Sequence, residues 1–101
     1  MSAEDEPEPD ECYVLQLFIT GARPRSLAAV ASIRAICEQH LNGRYQLEVI
    51  DVYEQPARAV EEQIFAMPTL VKQLPAPLRR MIGDLADTEK VLMGLNLQRR
   101  E

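Results

Sequence analysis

Cysteine and histidine are scarce here: Cys12, Cys37 and His40 are the only ones in 101 residues. The two thiols are too far apart for a redox pair, and no two ligands stand at the short spacing of a zinc site, so the three side chains complete no metal set. Both cysteines are expected to be reduced, partly buried small residues. Gly21 and Gly43 are isolated turn glycines that match neither phosphate-loop nor dinucleotide patterns. No apolar run approaches the ~18 residues needed to span a bilayer, and the N-terminus lacks the basic and apolar regions of a signal peptide. A cytoplasmic protein without membrane association or cofactor is the expectation. A five-residue basic cluster is missing as well, which removes nucleic acid from the expected partners.

What is present fits one domain, long enough for a single core but not for two. The net charge of −5 is unevenly spread. Glu4, Asp5, Glu6, Glu8, Asp10 and Glu11 put six of the sixteen acids into residues 1–11, leaving ten against all eleven Lys and Arg. Residues 1–11 therefore read as an acidic, disordered leader, and residues 12–101 as the folded domain.

Tyr13 to Ile19 is almost continuously apolar and rich in β-formers, which suits a central strand covered on both faces. Pro24 stands where a first helical position tolerates it. Leu27, Val30, Ile33, Cys37 and Leu41 follow at the spacing of one helix face, and Asn42-Gly43 ends that helix. Residues 45–53 read as a second strand, with Leu47, Val49 and Val52 alternating with Gln46, Glu48 and Asp51 and Ile50 breaking the pattern. Strand, helix and strand make a right-handed βαβ unit with parallel strands. Pro56 to Phe65 has the composition of a short helix.

The stretch Ile64 to Leu85 organises the second half. It contains Met67-Pro68-Thr69-Leu70, then Pro75 and Pro77, then Arg79-Arg80-Met81-Ile82 closing on Gly83-Asp84. Apolar runs bounded by Pro and Gly predict a β-hairpin. Asp87-Thr88 caps a last helix through Val91, Leu92 and Leu95. The resulting βαβαββα order is the thioredoxin-like plan, in which the proline before the hairpin is cis.

The chemistry of that plan is absent. Thioredoxin-like enzymes carry a Cys-x-x-Cys after the first strand, where the helix N-terminus lowers a thiol pKa. Here the turn is Thr20-Gly21-Ala22-Arg23-Pro24-Arg25-Ser26, without a nucleophile. Ser26 and His40 lie about 20 Å apart along one helix at ~1.5 Å per residue, too far for a catalytic pair. Asp84, Asp87 and Glu89 read as helix-start residues favoured by capping and the helix dipole. No enzymatic activity is expected.

Both halves together resemble the circadian clock protein KaiB family over residues 13–97. The resemblance rests on Tyr13-Val14-Leu15, Gly21 and Pro24 with Ser26, Val49-Ile50-Asp51-Val52, Pro68-Thr69-Leu70, Leu74-Pro75-Ala76-Pro77 with Arg79-Arg80, and Ile82-Gly83-Asp84-Leu85 with Glu89-Lys90-Val91-Leu92. It implies a non-enzymatic regulator that binds the ATPase ring of KaiC, with a histidine kinase as a competitor for the ring. It also implies two folds: a thioredoxin-like monomer that binds the ring, and a ground state with the second half rearranged that self-associates as a dimer or tetramer. Pro68, Pro75, Pro77, Gly94 and Asn96 are the expected fold-switch residues, and Lys72, Arg79 and Arg80 the expected ring contacts. The family commonly has Asp at the position of Asn96, and a lysine at that of Glu48 in members that capture KaiA. This charge reversal argues against KaiA as a partner. Alternative readings are a stand-alone sensor domain of the SasA kinase type and a stress-response regulator without a circadian role.

Overall fold

A computed structural model describes residues 12–97. The acidic leader expected over residues 1–11 lies outside them. The elements follow the order β1 (Tyr13–Ile19), α1 (Pro24–His40), β2 (Tyr45–Asp51), α2 (Pro56–Glu61), β3 (Thr69–Leu74), β4 (Arg79–Ile82) and α3 (Thr88–Gly94). They build a four-stranded sheet in the order β2-β1-β3-β4. β1 runs parallel to β2 and antiparallel to β3, which is antiparallel to β4.

Side chains alternate across a strand, so central β1 feeds two cores. Tyr13, Leu15, Leu17 and Ile19 are buried with Ile33, Ile36 and Cys37 of α1 and Val91 and Leu92 of α3. Phe18 belongs to the second core, with Ile50, Val52, Ala59 of α2, Ile64 and Val71. Each large apolar side chain so buried contributes about 1.5–3 kcal/mol, which makes β1 the strand whose truncation would be felt on both faces.

Three local expectations change. The buried face of α1 is Ser26, Ala29, Ile33, Ile36 and Cys37, while Leu27 is 55% exposed. The stripe begins one residue earlier than apolarity suggests, because the buried Ser26 hydroxyl accepts a hydrogen bond from the Thr20 N–H at 3.1 Å. In β2, Leu47 and Val49 pack toward α1 and α3 whereas Ile50, with Val52 just beyond the strand, faces α2, so the interruption in the alternation marks a strand used on both sides. β2 also stops at Asp51, whose Oδ1 accepts from the Gly21 and Tyr53 N–H groups and turns the chain.

The last helix closes with a side-chain and a backbone device. Asp87 is its N-cap, accepting from the Lys90 N–H at 3.3 Å. Beyond its C-cap, Leu95, Asn96 has φ 61°. The Leu97 N–H reaches the Leu92 carbonyl and the Asn96 N–H the Met93 carbonyl, the paired bonds of a Schellman motif. The buried Tyr13 hydroxyl donates to the Leu95 carbonyl at 3.0 Å and ties this helix end to β1.

Candidate interaction site at the free edge of the sheet

The three cations expected to act together are divided by the pleat. β4 pairs Arg79 with Lys72, Arg80 with Val71, Met81 with Leu70 and Ile82 with Thr69. Leu70 and Met81 belong to the α1/α3 core and Val71 to the α2 core. Arg79 and Lys72 thus lie on the first face and Arg80 and Ile82 on the second. Lys72 departs from the expectation of a surface charge: it is 3% exposed, and its Nζ donates to the Pro75 carbonyl at 2.8 Å. Its burial reflects a position beside the centre of the sheet, where the long stem packs and the ammonium returns to the hairpin backbone.

Arg79 and Arg80 are exposed. The Arg80 guanidinium donates to the Glu62 carbonyl at 2.6 Å and the Gln63 carbonyl at 3.3 Å, spanning the end of α2 where carbonyls lack helical partners. Neither arginine meets a carboxylate among the described residues. Next to Arg80, a groove of 310 Å³ runs between Ile82 and the loop carrying Phe65, over Ile64 and Thr69. Phe65 is 88% and Ile82 65% exposed. Phe65 and Ile82 do not stand out in the sequence, where they look like ordinary core residues; only the edge position of β4 distinguishes them.

The expected fold-switch residues are scattered rather than joined. Pro68, Pro75 and Pro77 all follow cis peptide bonds. Gly94 lies in the last turn of α3 against Met81 of β4, and Asn96 is the left-handed stop beyond it.

The turn after β1 lines an open groove of about 500 Å³ with Tyr53, Met67 and Pro68. Gly21 has φ 59°, and a Cβ there would lie 3.2 Å from the Tyr53 ring. Arg23 donates to the Tyr53 hydroxyl at 3.1 Å. Cys37 sits near the other end of α1, its thiol pushed up to about 11 by burial and by Glu38, hence protonated and unreactive at neutral pH. Among the described residues no three His, Cys, Asp or Glu side chains group as a metal site, and no helix is long and apolar enough to cross a membrane.

At the opposite sheet edge, Glu48 makes a bidentate pair with Arg58 of α2, with N···O distances of 2.9 and 3.0 Å. Arg58 holds the Glu48 carboxyl below its ordinary value. Glu48 stands out in the sequence by its charge, whereas its partner, in another element, carries no such signal.

These features define a thioredoxin-like domain with the position of the redox pair occupied by Thr20 to Ser26. The mitochondrial thioredoxin 3 of Saccharomyces cerevisiae superimposes with a TM-score of 0.68 at 20% identity, over 85% of this chain and 78% of that one. The N-terminal domain of Synechococcus elongatus SasA matches with a TM-score of 0.69 and 26% identity, covering 100% of this chain and 99% of that one. The model of the KaiB domain matches residues 16–97. A circadian clock protein KaiB3 of Synechocystis is 56% identical over 84 residues, 83% of this chain and 82% of that relative. A circadian clock oscillator protein KaiB of Prochlorococcus marinus is 52% identical over 85 residues, 84% and 81% of the two chains. The chain belongs to the KaiB family.

Proposed function

We propose that this protein is a non-enzymatic clock or timing regulator of the cytoplasm that docks on a KaiC-like ATPase ring as a thioredoxin-like monomer. The observation that carries the reading is the placement of Arg79 and Arg80 on the free edge of the sheet, exposed and without a carboxylate partner among the described residues. They stand ready to pair with acids of another protein. Lys72 keeps a supporting role, fixing the β3–β4 hairpin through Pro75. A rearranged second half that self-associates is the other state of the proposed cycle. The similarity to the SasA domain supports a histidine kinase as competitor. Glu48, already neutralised by Arg58, argues against capture of KaiA.

The test is a pulldown with a purified KaiC hexamer in its different phosphorylation states. Capture by the wild type, weakened at least tenfold by Arg79→Ala with Arg80→Ala, is the expected result. Equal capture of wild type and double variant would remove the edge from the mechanism. Turnover of an insulin-type disulfide substrate that vanishes in Cys37→Ser would overturn the non-enzymatic reading.

A further inference from the structure

We infer that β4 accepts an extended segment of a partner protein as a fifth strand, and that the segment carries the pattern apolar-x-acid-acid. The inference rests on the reading of this edge as the docking surface and adds the form and chemistry of what docks. Alternate backbone N–H and C=O groups of an antiparallel edge strand point away from its neighbour, and those of β4 face no other strand among the described residues. An added strand would satisfy them while side chains set the specificity.

The pleat then dictates the partner's order. Arg80 and Ile82 share the α2 face and Arg79 lies on the other. An antiparallel segment therefore places an apolar residue beside Ile82, where the groove lined by Phe65 receives it, and two successive acids beside Arg80 and Arg79. Arg80 is held by two backbone carbonyls, so it is positioned without being neutralised, and a guanidinium has further donors for a carboxylate. A second copy of this chain fits poorly. Pairing β4 with itself would gather four arginines in a ladder whose strands, Arg79 to Ile82, contain no acid.

Hydrogen exchange on the full chain, with and without a KaiC hexamer, tests the edge directly. Added protection of the amides of residues 79–83, and at least tenfold weaker ring binding by Ile82→Asp and by Arg80→Glu, both still folded by circular dichroism, is the expected result. Ring binding without β4 protection, or unchanged in both variants, overturns the fifth strand while leaving ring docking intact. If the wild type binds no ring, the docking reading fails. A threonine-flanked peptide with the apolar-x-acid-acid core then decides the inference alone. Salt-sensitive binding lost in Arg80→Glu, and absent for a peptide with lysines in place of the acids, supports it; no binding overturns it. Concentration-dependent β4 protection without any partner would identify a second copy as the occupant and also overturn it.

Discussion

Replacing Gly94 with alanine sets two effects of similar size against each other. Inside a helix, alanine is favoured over glycine by about 1 kcal/mol, so sequence reasoning predicts that Gly94→Ala shifts the population toward the helical, monomeric form. The structure sets a steric cost against that expectation. A Cβ on Gly94 would lie 2.2 Å from the Met81 Sδ and 2.8 Å from its Cγ, distances at which something must move. Met81 packs against the α1/α3 core, so retreat means leaving contacts there. Overpacking of this kind costs about 1–3 kcal/mol, and the flexible thioether puts this site toward the lower end. The net effect, with the propensity of alanine set against the overpacking, is a loss of about 0–2 kcal/mol from the thioredoxin-like arrangement. In a domain of this size that lowers the melting temperature by roughly 4–8 °C for each kcal/mol.

The decisive assay is a double-mutant cycle of Gly94→Ala and Met81→Ala, followed by urea or thermal melts. Met81→Ala alone is destabilising through lost packing. In its background Gly94→Ala should become stabilising by about the helix propensity, giving a coupling of about 1–3 kcal/mol, within the range for residues in contact. NMR peak volumes for the two proposed folds, read on the same proteins, should move in step with the melts. A single Gly94→Ala variant that melts higher than the wild type by the full propensity, with no coupling to Met81, would refute the close packing of α3 on β4.

Further outcomes follow from the same contacts. Tyr13→Phe removes the hydroxyl that donates to the Leu95 carbonyl and should destabilise by about 0.5–1.5 kcal/mol in thermal melts. Asp87→Ala deletes the N-cap of α3 and should lose about 0.5–2 kcal/mol, whereas Asp87→Ser should restore most of it. Cys12 is exposed and should react quickly with a thiol reagent in the native protein, while Cys37 should react only as the protein unfolds. The Cys37 thiol, raised in the fold from 9.0 to about 11, favours the native state fully below pH 9.0, and that contribution should fade as pH rises toward about 11. A pH titration of stability comparing wild type with Cys37→Ala checks the sign.

The order of elements was legible because each begins and ends on a strong local signal. Pro24 opens α1, Gly43 with φ 76° follows its end, and Asp87 caps α3. The site was only half legible. Arg79 and Arg80 attract attention in any reading of the chain, but adjacency in sequence hides that the pleat sends them to opposite faces. Lys72 looked like a third surface charge because hydropathy cannot register the Pro75 carbonyl that lets an ammonium lie under a hairpin. Phe65 and Ile82 have the opposite problem: their apolarity predicts burial, and only the end of the sheet after β4 leaves them in solvent.

Asn96 shows how the same limitation bears on the proposed balance between two folds. The sequence alone gives Asn96 no direction, whereas its backbone, at φ 61°, stands in the position that stops α3. That conformation suits glycine best and asparagine among the few tolerant side chains, and it disfavours a β-branched residue. Asn96→Gly should therefore leave α3 and the Leu97 contact with the core intact, and Asn96→Val should release both. A strand needs the opposite backbone at this residue, so valine favours any arrangement that extends the segment. The fraction of monomer by sedimentation at fixed concentration separates these outcomes, with glycine near the wild type and valine displaced toward the self-associated state. Equal monomer fractions and melting curves for both variants would mean that the end of α3 exerts no control over the proposed rearrangement of the second half.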